Sequence, residues 1–288
     1  MFETFSLEFK SNCRFTTIFS SPHSGSNYPK RFLENSSLDI LELRSSEDAF
    51  VGNLFDVSAN YNSALIEAIY PRCFIDLNRS HLELDPKLVI GKFKFESTPR
   101  NSVGLGVIPR LSGRGNCINK KPISLFEARE RLNQFYFPYH KRLSELIMTA
   151  RSSLGCAILF DCHSMPSSFN PFDGSQNKTN NTDIILGDLN GVSCDPQLTK
   201  NVKEIFEFHG FSVRLNQPFA GGFITKNYGH PNKNIHALQI EINRNLYMNE
   251  LLLEPNENYV DFKNNLEKVI KELCSLTIFD KLFELAAE

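Results

Sequence analysis

The chain of 288 residues is 41% hydrophobic and 22% charged, which is typical of a globular protein. Its formal net charge of -2, with no long basic block, gives nucleic-acid binding little electrostatic support. No apolar run approaches the roughly 20 residues that a membrane span requires. We therefore predict a protein that binds neither nucleic acid nor a membrane.

The seven cysteines are odd in number and scattered, and no C-x-x-C motif occurs. This pattern favours reduced thiols over a disulfide framework. The first residues carry acidic side chains and lack the basic and apolar regions of a secretory signal. Together these features predict a cytoplasmic protein.

The first predicted strand spans residues 15–20, a run of aromatic and β-branched residues. It stops at the sequence Ser-Pro-His-Ser-Gly, where proline and glycine predict a loop. His23 therefore stands at the end of a strand. Taken alone, this segment is explained equally well by a loop histidine and by a functional one.

Two adjacent carboxylates come next, in the sequence Ser-Ser-Glu-Asp. Ser45 or Ser46 is suited to cap a helix over residues 49–55, with Glu47 and Asp48 near the positive end of its dipole. The alternative is that one of these carboxylates completes a metal site.

Another strand with a polar end is predicted at residues 73–79, where the strand ends in Asn78 and Arg79. On an extended chain Asp76 and Asn78 share one side. An arginine in this position suits bidentate binding of a substrate carboxylate. The alternative is a surface ion pair of Arg79 with a nearby acidic residue.

Residues 93–120 are rich in loop-forming residues, and their glycines do not match a dinucleotide-binding fingerprint. This segment is a mobile lid, a cleft wall or an inert loop. Residues 124–151 form the longest predicted amphipathic helix, which begins with a capping box at Ser124. Pro138 is expected to kink or split this helix near Phe137.

The central strand is predicted at residues 157–160, four apolar residues followed directly by Asp161, Cys162 and His163. Ligands bind at the carboxyl ends of such strands. Asp161 and His163 point to the same side, so the carboxylate can fix the tautomer of a metal-binding imidazole. A loop histidine bonded to Asp161 explains this motif more simply when it is taken alone.

Cys162 is expected to pack in the core, and a cysteine hydrolase using it with His163 is a weaker alternative.

Further strands are predicted at residues 183–188 and 211–215, helices at 196–209 and 258–287, and a surface loop at 168–181. Gly221 and Gly222 allow a close approach of the backbone to another group.

The last strand, residues 236–244, carries Glu241 near its end. Burial raises the pKa of such a carboxylate and makes it a general-base candidate. A salt bridge to Arg244 or Lys226 is the alternative.

Strands that alternate with helices predict a three-layer α/β fold with a mostly parallel, mixed sheet. No composition break divides the chain, so we predict a single domain over residues 1–288. Two histidines, a carboxylate, a further glutamate and an arginine are the groups of a mononuclear zinc hydrolase. In such an enzyme three protein ligands leave one coordination position of the metal for water. The glutamate takes a proton from that water, and the arginine orients a carboxylate of the substrate.

Several motifs occur together in the order of one known family: SPHSG (21–25), SEDAF (46–50), DLNR (76–79), DCHSM (161–165), GGFIT (221–225) and LQIEINR (238–244). Over residues 21–250 the chain resembles the N-formylglutamate amidohydrolase family. The resemblance implies a zinc-carboxypeptidase-like fold and one divalent metal ion, Zn²⁺. It also implies hydrolysis of N-formyl-L-glutamate, or a similar N-acyl amino acid, to formate and glutamate, a step in histidine degradation.

The resemblance also assigns the metal ligands, which are His23, His163 and Asp48. Glu47 is the alternative carboxylate ligand, because the H-x-x-E motif of zinc peptidases is missing and Ser26 stands three residues after His23.

By the same resemblance, Glu241 is the catalytic glutamate, and Asn78 and Arg79 bind the carboxylate of the substrate. Arg244 is a further substrate-binding candidate. A non-catalytic, ligand-binding or regulatory member of the same family is the alternative of a different class. Intact His23, Asp48, His163 and Glu241 favour the enzyme, because a binding protein needs no base beside its ligand.

Overall fold

A seven-stranded mixed sheet lies at the centre of the fold. The computed structural model describes residues 3–9, 14–168 and 182–276. Within them the strands are β1 (Phe5–Glu8), β2 (Thr17–Ser21), β3 (Ala64–Ala68), β4 (Val89–Ile90), β5 (Ile123–Ser124), β6 (Ala157–Met165), β7 (Ile184–Gly187), β8 (Val213–Leu215), β9 (Ile235–Asn243), β10 (Met248–Asn249) and β11 (Glu254–Pro255). The helices are α1 (Lys30–Asn35), α2 (Ile40–Arg44), α3 (Val51–Phe55), α4 (Pro99–Ser102), α5 (Leu125–Arg131), α6 (Phe137–Leu154), α7 (Pro196–Phe208), α8 (Phe223–Tyr228) and α9 (Tyr259–Cys274).

The strand order of the central sheet is β1-β3-β2-β6-β9-β7-β8. Neighbours from β3 through β2 and β6 to β9 are parallel, and so are β7 and β8. Antiparallel pairing occurs between β7 and β9 and between β1 and β3. The predicted mostly parallel, mixed sheet is therefore confirmed. Parallel neighbours need crossover connections, and these carry helices to both faces of the sheet.

Successive residues of each strand point to opposite faces of the sheet, where they belong to two separate hydrophobic cores. Helix α6 packs on one face, where Leu143 and Leu146 meet Ala157 and Leu159 of β6. Helices α3, α7 and α9 pack on the other face, against residues such as Phe160. The predicted three-layer α/β architecture is thus confirmed. No helix in the described part of the chain has the length and apolar character needed to cross a membrane.

Strands β6 and β9 change from apolar to polar along the face that α6 covers. Ala157 and Leu159 belong to the core on that face, and Asp161 and His163 follow them with the same alternation. On β9 the same change leads from Ala237 to Gln239 and Glu241. Since the two strands are parallel and His163 lies opposite Glu241, their polar ends meet at one edge of the sheet.

The strand predicted at residues 73–79 is wrong. This segment is a series of turns that begins where Pro71 O accepts hydrogen bonds from the N–H groups of Phe74 and Ile75. Strand β3 already occupies the position beside β2, so the apolar side chains here are buried without joining the sheet. Hydrophobic residues alone do not distinguish a buried strand from a buried turn.

The helix cap predicted at Ser45 or Ser46 is also wrong. Ser45 instead ends α2, because its N–H donates to carbonyls of that helix. Helix α3 begins only after Phe50, which has a left-handed backbone with φ of 66°. The Glu47–Asp48 pair therefore lies in the tight connection between two short helices rather than in a first helical turn.

The long helix predicted over residues 124–151 is confirmed as α5 and α6, joined by a π-helical stretch, Leu132–Tyr136. The Ser124 hydroxyl accepts a bond from Glu127 N, as a cap should. Pro138 lies in the first turn of α6, where a missing N–H costs little. The predicted loop at 168–181 and the end of the predicted helix at 258–287 lie largely outside the described residues.

Candidate active site

His23, Asp48 and His163 form a buried cluster at the edge where β2 and β6 end. The candidate ligand atoms of these three residues all lie within 4.8 Å of one another. Asp48 Oδ2 is 2.9 Å from His163 Nδ1 and 3.3 Å from His23 Nδ1. The Asp48 N–H donates to the His23 carbonyl at 3.0 Å, which fixes the α2–α3 connection against the loop after β2.

Each imidazole of the cluster also contacts a second carboxylate, through its Nε2 atom. Asp76 Oδ1 is 2.7 Å from His23 Nε2, and Asp161 Oδ2 is 3.0 Å from His163 Nε2. A carboxylate on the outer nitrogen fixes the ring orientation and raises the basicity of the inner nitrogen. The Nδ1 atoms of both rings therefore face Asp48.

Asp48, and not Glu47, occupies the space between the two histidines. Arg244 donates to Asp48 Oδ1 at 3.0 Å and to the Glu47 carbonyl at 2.7 Å. The Glu47 carboxylate points elsewhere and accepts hydrogen bonds from Tyr28 and Arg44. Arg244 thus holds one oxygen of Asp48 and leaves the other directed at the imidazoles.

Neighbouring groups favour the charged forms of both Asp48 and His163. Burial opposes ionisation of Asp48, but its hydrogen bonds with His163 and His23 outweigh burial and hold its pKa well below the usual range. Burial likewise disfavours the charged form of His163, yet Asp161 and Asp48 raise the pKa of its ring well above normal. This environment is one that stabilises positive charge between the two imidazoles.

The number and chemistry of the ligand atoms in this cluster suit a divalent metal ion. His23 Nδ1 is a buried nitrogen without a well-aligned hydrogen bond among the described residues, although Asp48 Oδ2 lies 3.3 Å away, and such atoms are rare unless they bind something. Two imidazole nitrogens and one carboxylate oxygen are the protein ligands of a catalytic zinc site. His23, Asp48 and His163 therefore fit Zn²⁺ by number and by chemistry.

Glu241 lies beside this cluster on β9, in register with His163. Its carboxylate accepts a hydrogen bond from Gln239 Nε2 at 2.7 Å. Burial raises its pKa to about 7, with His163 opposing the increase and Asp48 adding to it. A carboxylate with a pKa near neutrality is suited to take up and return a proton.

These residues line a cleft of about 610 Å³. Its lining includes four arginines, Arg72, Arg79, Arg100 and Arg244. One wall is built from the predicted loop segment, including Val103, Leu105, Leu111 and the backbone at Gly113. Of the three interpretations of residues 93–120, the structure supports the cleft wall.

Asn78 connects the cluster to the opposite wall. Its Nδ2 donates to Asp161 Oδ2 at 3.0 Å, and its Oδ1 accepts from the N–H of Ile224 at 2.7 Å. A Cβ at Gly222 would lie 2.5 Å from the Asn78 amide, so only glycine fits there. This contact confirms the close backbone approach predicted from the paired glycines.

Known proteins match this chain over most of its length. A family model described as N-formylglutamate amidohydrolase matches residues 15–248. An N-formylglutamate deformylase from Pseudomonas putida is 32% identical over 268 residues, which cover 90% of this chain and 91% of the relative. One from Pseudomonas aeruginosa is 27% identical and covers 93% of this chain and 94% of the relative.

This chain belongs to the N-formylglutamate amidohydrolase family.

A crystal structure of an N-formylglutamate amidohydrolase from Ralstonia eutropha agrees with that assignment. It superimposes with a TM-score of 0.87 at 27% identity, covering 94% of this chain and 97% of that one. The family resemblance inferred from the motifs is therefore confirmed, together with the fold class.

All seven residues predicted for the site of this family member line the one cleft: His23, Asp48, Asn78, Arg79, His163, Glu241 and Arg244. Sequence reasoning missed two of its arginines, Arg72 and Arg100, and the contact of Asp76 with His23. Arg72 stands four residues before Asp76 and pairs with it at 2.8 Å. The position of Arg72 just upstream of the DLNR motif was the sequence feature that could have identified it as a site residue.

Cys162 does not share the cleft. It is fully buried in the core on the opposite face of β6, as strand alternation predicts. Burial raises the pKa of its thiol well above normal. A buried, protonated thiol that points away from His163 is a poor nucleophile, so the geometry opposes the cysteine-hydrolase alternative.

Proposed function

We propose that this chain is a metal-dependent amidohydrolase that hydrolyses N-formyl-L-glutamate, or a similar N-acyl amino acid, to formate and L-glutamate. The observation that carries the proposal is the buried His23–Asp48–His163 cluster beside Glu241 in an arginine-lined cleft. Two relatives that match this chain over 91% and 94% of their own length are N-formylglutamate deformylases, which supports the choice of substrate.

In this proposal His23, Asp48 and His163 hold one divalent metal ion, with Zn²⁺ favoured by the donor set. A metal held there supplies Lewis acidity, which lowers the pKa of water toward neutrality and polarises a carbonyl. Asp76 and Asp161 keep the two imidazoles oriented, and Arg244 keeps Asp48 oriented.

Glu241 is the proposed general base. It takes a proton from water as the oxygen of that water bonds to the formyl carbon. It then gives the proton to the amide nitrogen as the C–N bond breaks, so that formate and the free amino acid are released. Burial, which raises the pKa of Glu241 to about 7, suits both halves of this exchange.

Arg79 is the proposed partner of the substrate α-carboxylate, because a guanidinium binds a carboxylate through two parallel hydrogen bonds. It is buried in the wall of the cleft, with its Nε and one terminal nitrogen bonded to the carbonyls of Leu105 and Asn78. Asn78 and Arg244, which line the same cleft as the histidine cluster, complete the proposed substrate-binding surface.

We extend the proposal to residues 1–288 as one domain. The central sheet supports it, because strands as distant in sequence as β1 and β9 belong to the same sheet. The family match over residues 15–248 also spans most of the chain.

The test is the metal content of the purified protein, with formate release from N-formyl-L-glutamate measured before and after chelation. We expect about one metal per chain, and activity that chelation abolishes and Zn²⁺ restores. Bound metal without formate release would move the search to other N-acyl amino acids. Absence of both metal and activity would favour the non-catalytic, ligand-binding alternative.

A further inference from the structure

We propose that Arg100 binds a second carboxylate of the substrate, so that the cleft selects N-acyl derivatives of acidic amino acids over their neutral analogues. This inference rests on the proposed amidohydrolase function. It concerns the side chain of the amino acid, whereas Arg79 is assigned to its α-carboxylate.

Arg100 differs from the other arginines of the cleft in its partners. Arg72 donates to Asp76 at 2.8 Å, and Arg244 is bonded to Asp48, Ser164 and the Glu47 carbonyl. Within residues 3–9, 14–168 and 182–276, the Arg100 guanidinium has no hydrogen bond or ion pair. It is an exposed cation on the wall of the cleft, available to an incoming anion.

The backbone beneath Arg100 is firmly held. Helix α4, which carries it, begins with a reciprocal capping box between Thr98 and Asn101. Asn101 is buried, and its amide also donates to the Glu96 carbonyl. The Thr98 hydroxyl donates to Glu83 Oε2 at 2.7 Å. Because the backbone is held in this way, ligand binding needs to order the Arg100 side chain but not the helix that carries it.

Hydrogen bonds connect this platform to the other carboxylate-binding arginine. The Leu105 N–H donates to the Arg100 carbonyl at 2.9 Å, and Arg79 Nε donates to the Leu105 carbonyl at 3.2 Å. The backbone that carries Arg100 is thus held in a fixed relation to the Arg79 side chain on one wall of the cleft.

The charges of this wall leave Arg100 for a second carboxylate. Burial lowers the pKa of Arg79 to about 10, and the positive charges of Arg100 and Arg72 add to the decrease, whereas the negative charges of Asp76 and Glu83 oppose it. Asp76 is shared between Arg72 and Arg79, and Glu83 accepts a hydrogen bond from Thr98. Arg100 is therefore available to a second carboxylate when Arg79 binds the first.

The test compares Arg100→Gln with wild type on two substrates of the same shape, N-formyl-L-glutamate and N-formyl-L-glutamine. We expect kcat/KM for the glutamate compound to fall about 10- to 100-fold, chiefly through KM, with no change for the glutamine compound. Arg100→Lys should retain part of the preference. Calorimetric binding of L-glutamate should weaken by a similar factor in Arg100→Gln, a measurement that does not need turnover.

Arg114→Gln is the matched control. It removes the same charge from the same segment, but Arg114 pairs with Glu42 at 3.2 Å, and its variant should keep the wild-type preference. Equal losses on both substrates in Arg100→Gln, or no loss on either, would overturn the assignment. A wild-type protein that hydrolyses the two compounds equally would overturn it while leaving the amidohydrolase intact. Wild type that binds no metal and releases formate from neither compound would overturn both proposals.

Discussion

The two histidines of the site are each held between two carboxylates. Asp48 faces both rings from the inside, and Asp76 and Asp161 hold their outer nitrogens. Three carboxylates around two imidazoles would be costly to bury without compensating positive charge. Arg72 and Arg244 supply part of that charge through their ion pairs with Asp76 and Asp48, and the metal ion of the proposed function would supply more.

Replacement of either adjacent carboxylate by its amide distinguishes Asp48 from Glu47. Asp48→Asn should lose most of the bound metal, because a neutral amide oxygen is a much weaker ligand for Zn²⁺ than a carboxylate. Glu47→Gln should keep it, since its side chain binds Tyr28 and Arg44 instead. Elemental analysis of the two purified variants measures the difference. Metal loss in Glu47→Gln alone would make Glu47 the ligand.

Replacement of Glu241 by glutamine tests the proposed base. The variant keeps the shape of the side chain but has no carboxylate to accept a proton. We expect kcat to fall by about 10²- to 10⁴-fold, with KM and metal content near wild-type values. Glu204→Gln, which alters a surface glutamate of α7, is the control and should leave kcat unchanged. Retained turnover in Glu241→Gln would remove this residue from the mechanism.

Helix α6 supports the site through His140. Its Nε2 donates to the Leu77 carbonyl at 2.9 Å, and its Nδ1 is 2.9 Å from the Tyr228 hydroxyl of α8. The preceding π-helical stretch ends at Tyr136, whose hydroxyl donates to the Arg79 carbonyl at 2.8 Å. The turns that carry Asn78 and Arg79 are thus fixed in part by α6 and by the π-helical stretch before it, in addition to the bond of Asn78 to Asp161 of β6.

The buried ring of His140 predicts a loss of stability in acid. Burial lowers its pKa to about 4, whereas the unfolded chain takes up the proton near 6.5. Protons therefore bind preferentially to the unfolded state between these values. The free energy of unfolding should decrease as the pH falls from 6.5 to 4, by up to about 3 kcal/mol from this residue, and should be unaffected by it above 6.5.

Urea unfolding of wild type and His140→Gln across this pH range measures the effect. The variant should be less stable at neutral pH, because it loses the fit of the imidazole between Leu77 and Tyr228. Its stability should nevertheless decrease less steeply in acid. Above pH 6.5 the difference between the two proteins should stay constant, which serves as the internal control. Parallel curves throughout the acid range would contradict the assignment to His140.

At the scale of the whole molecule, the site joins segments that are far apart in the chain. His23 follows β2, Asp48 lies between α2 and α3, and His163 and Glu241 lie on β6 and β9. A ligand held by the first three of these would connect two parallel strands and a helical connection of the native state. Since the unfolded chain does not bring these groups together, such binding stabilises the fold.

Metal removal should therefore lower the melting temperature of the protein. At a free Zn²⁺ concentration 1,000-fold above Kd, binding adds about 4 kcal/mol, which corresponds to a shift on the order of 10 °C for a chain of this size. Differential scanning calorimetry with and without a chelator measures the shift. Asp48→Asn is the control, and its melting temperature should not respond to the metal. An unchanged wild-type transition would argue against a metal in this cluster.

Much of the fold was predictable because its strands carry a clear local pattern. The four apolar residues before Asp161, and the alternation around Glu241, define β6 and β9 from their neighbours in sequence alone. Residues 73–79 show where this fails. Their apolar side chains are as buried as those of a strand, but the sheet position beside β2 is taken by β3, and no local pattern reports that competition.

The motifs were enough to predict the family, the α/β class and the residue types of the site, since each motif is a short stretch whose chemistry can be identified in isolation. The folded chain was needed to show that Asp48 rather than Glu47 faces the histidines, that Asp76 supports His23, and that Arg100 lies on the cleft wall. The physical reason is that these relations depend on side-chain direction and long-range hydrogen bonds between distant segments. The Arg244 bonds to Asp48 and to the Glu47 carbonyl, across nearly 200 residues, are one example.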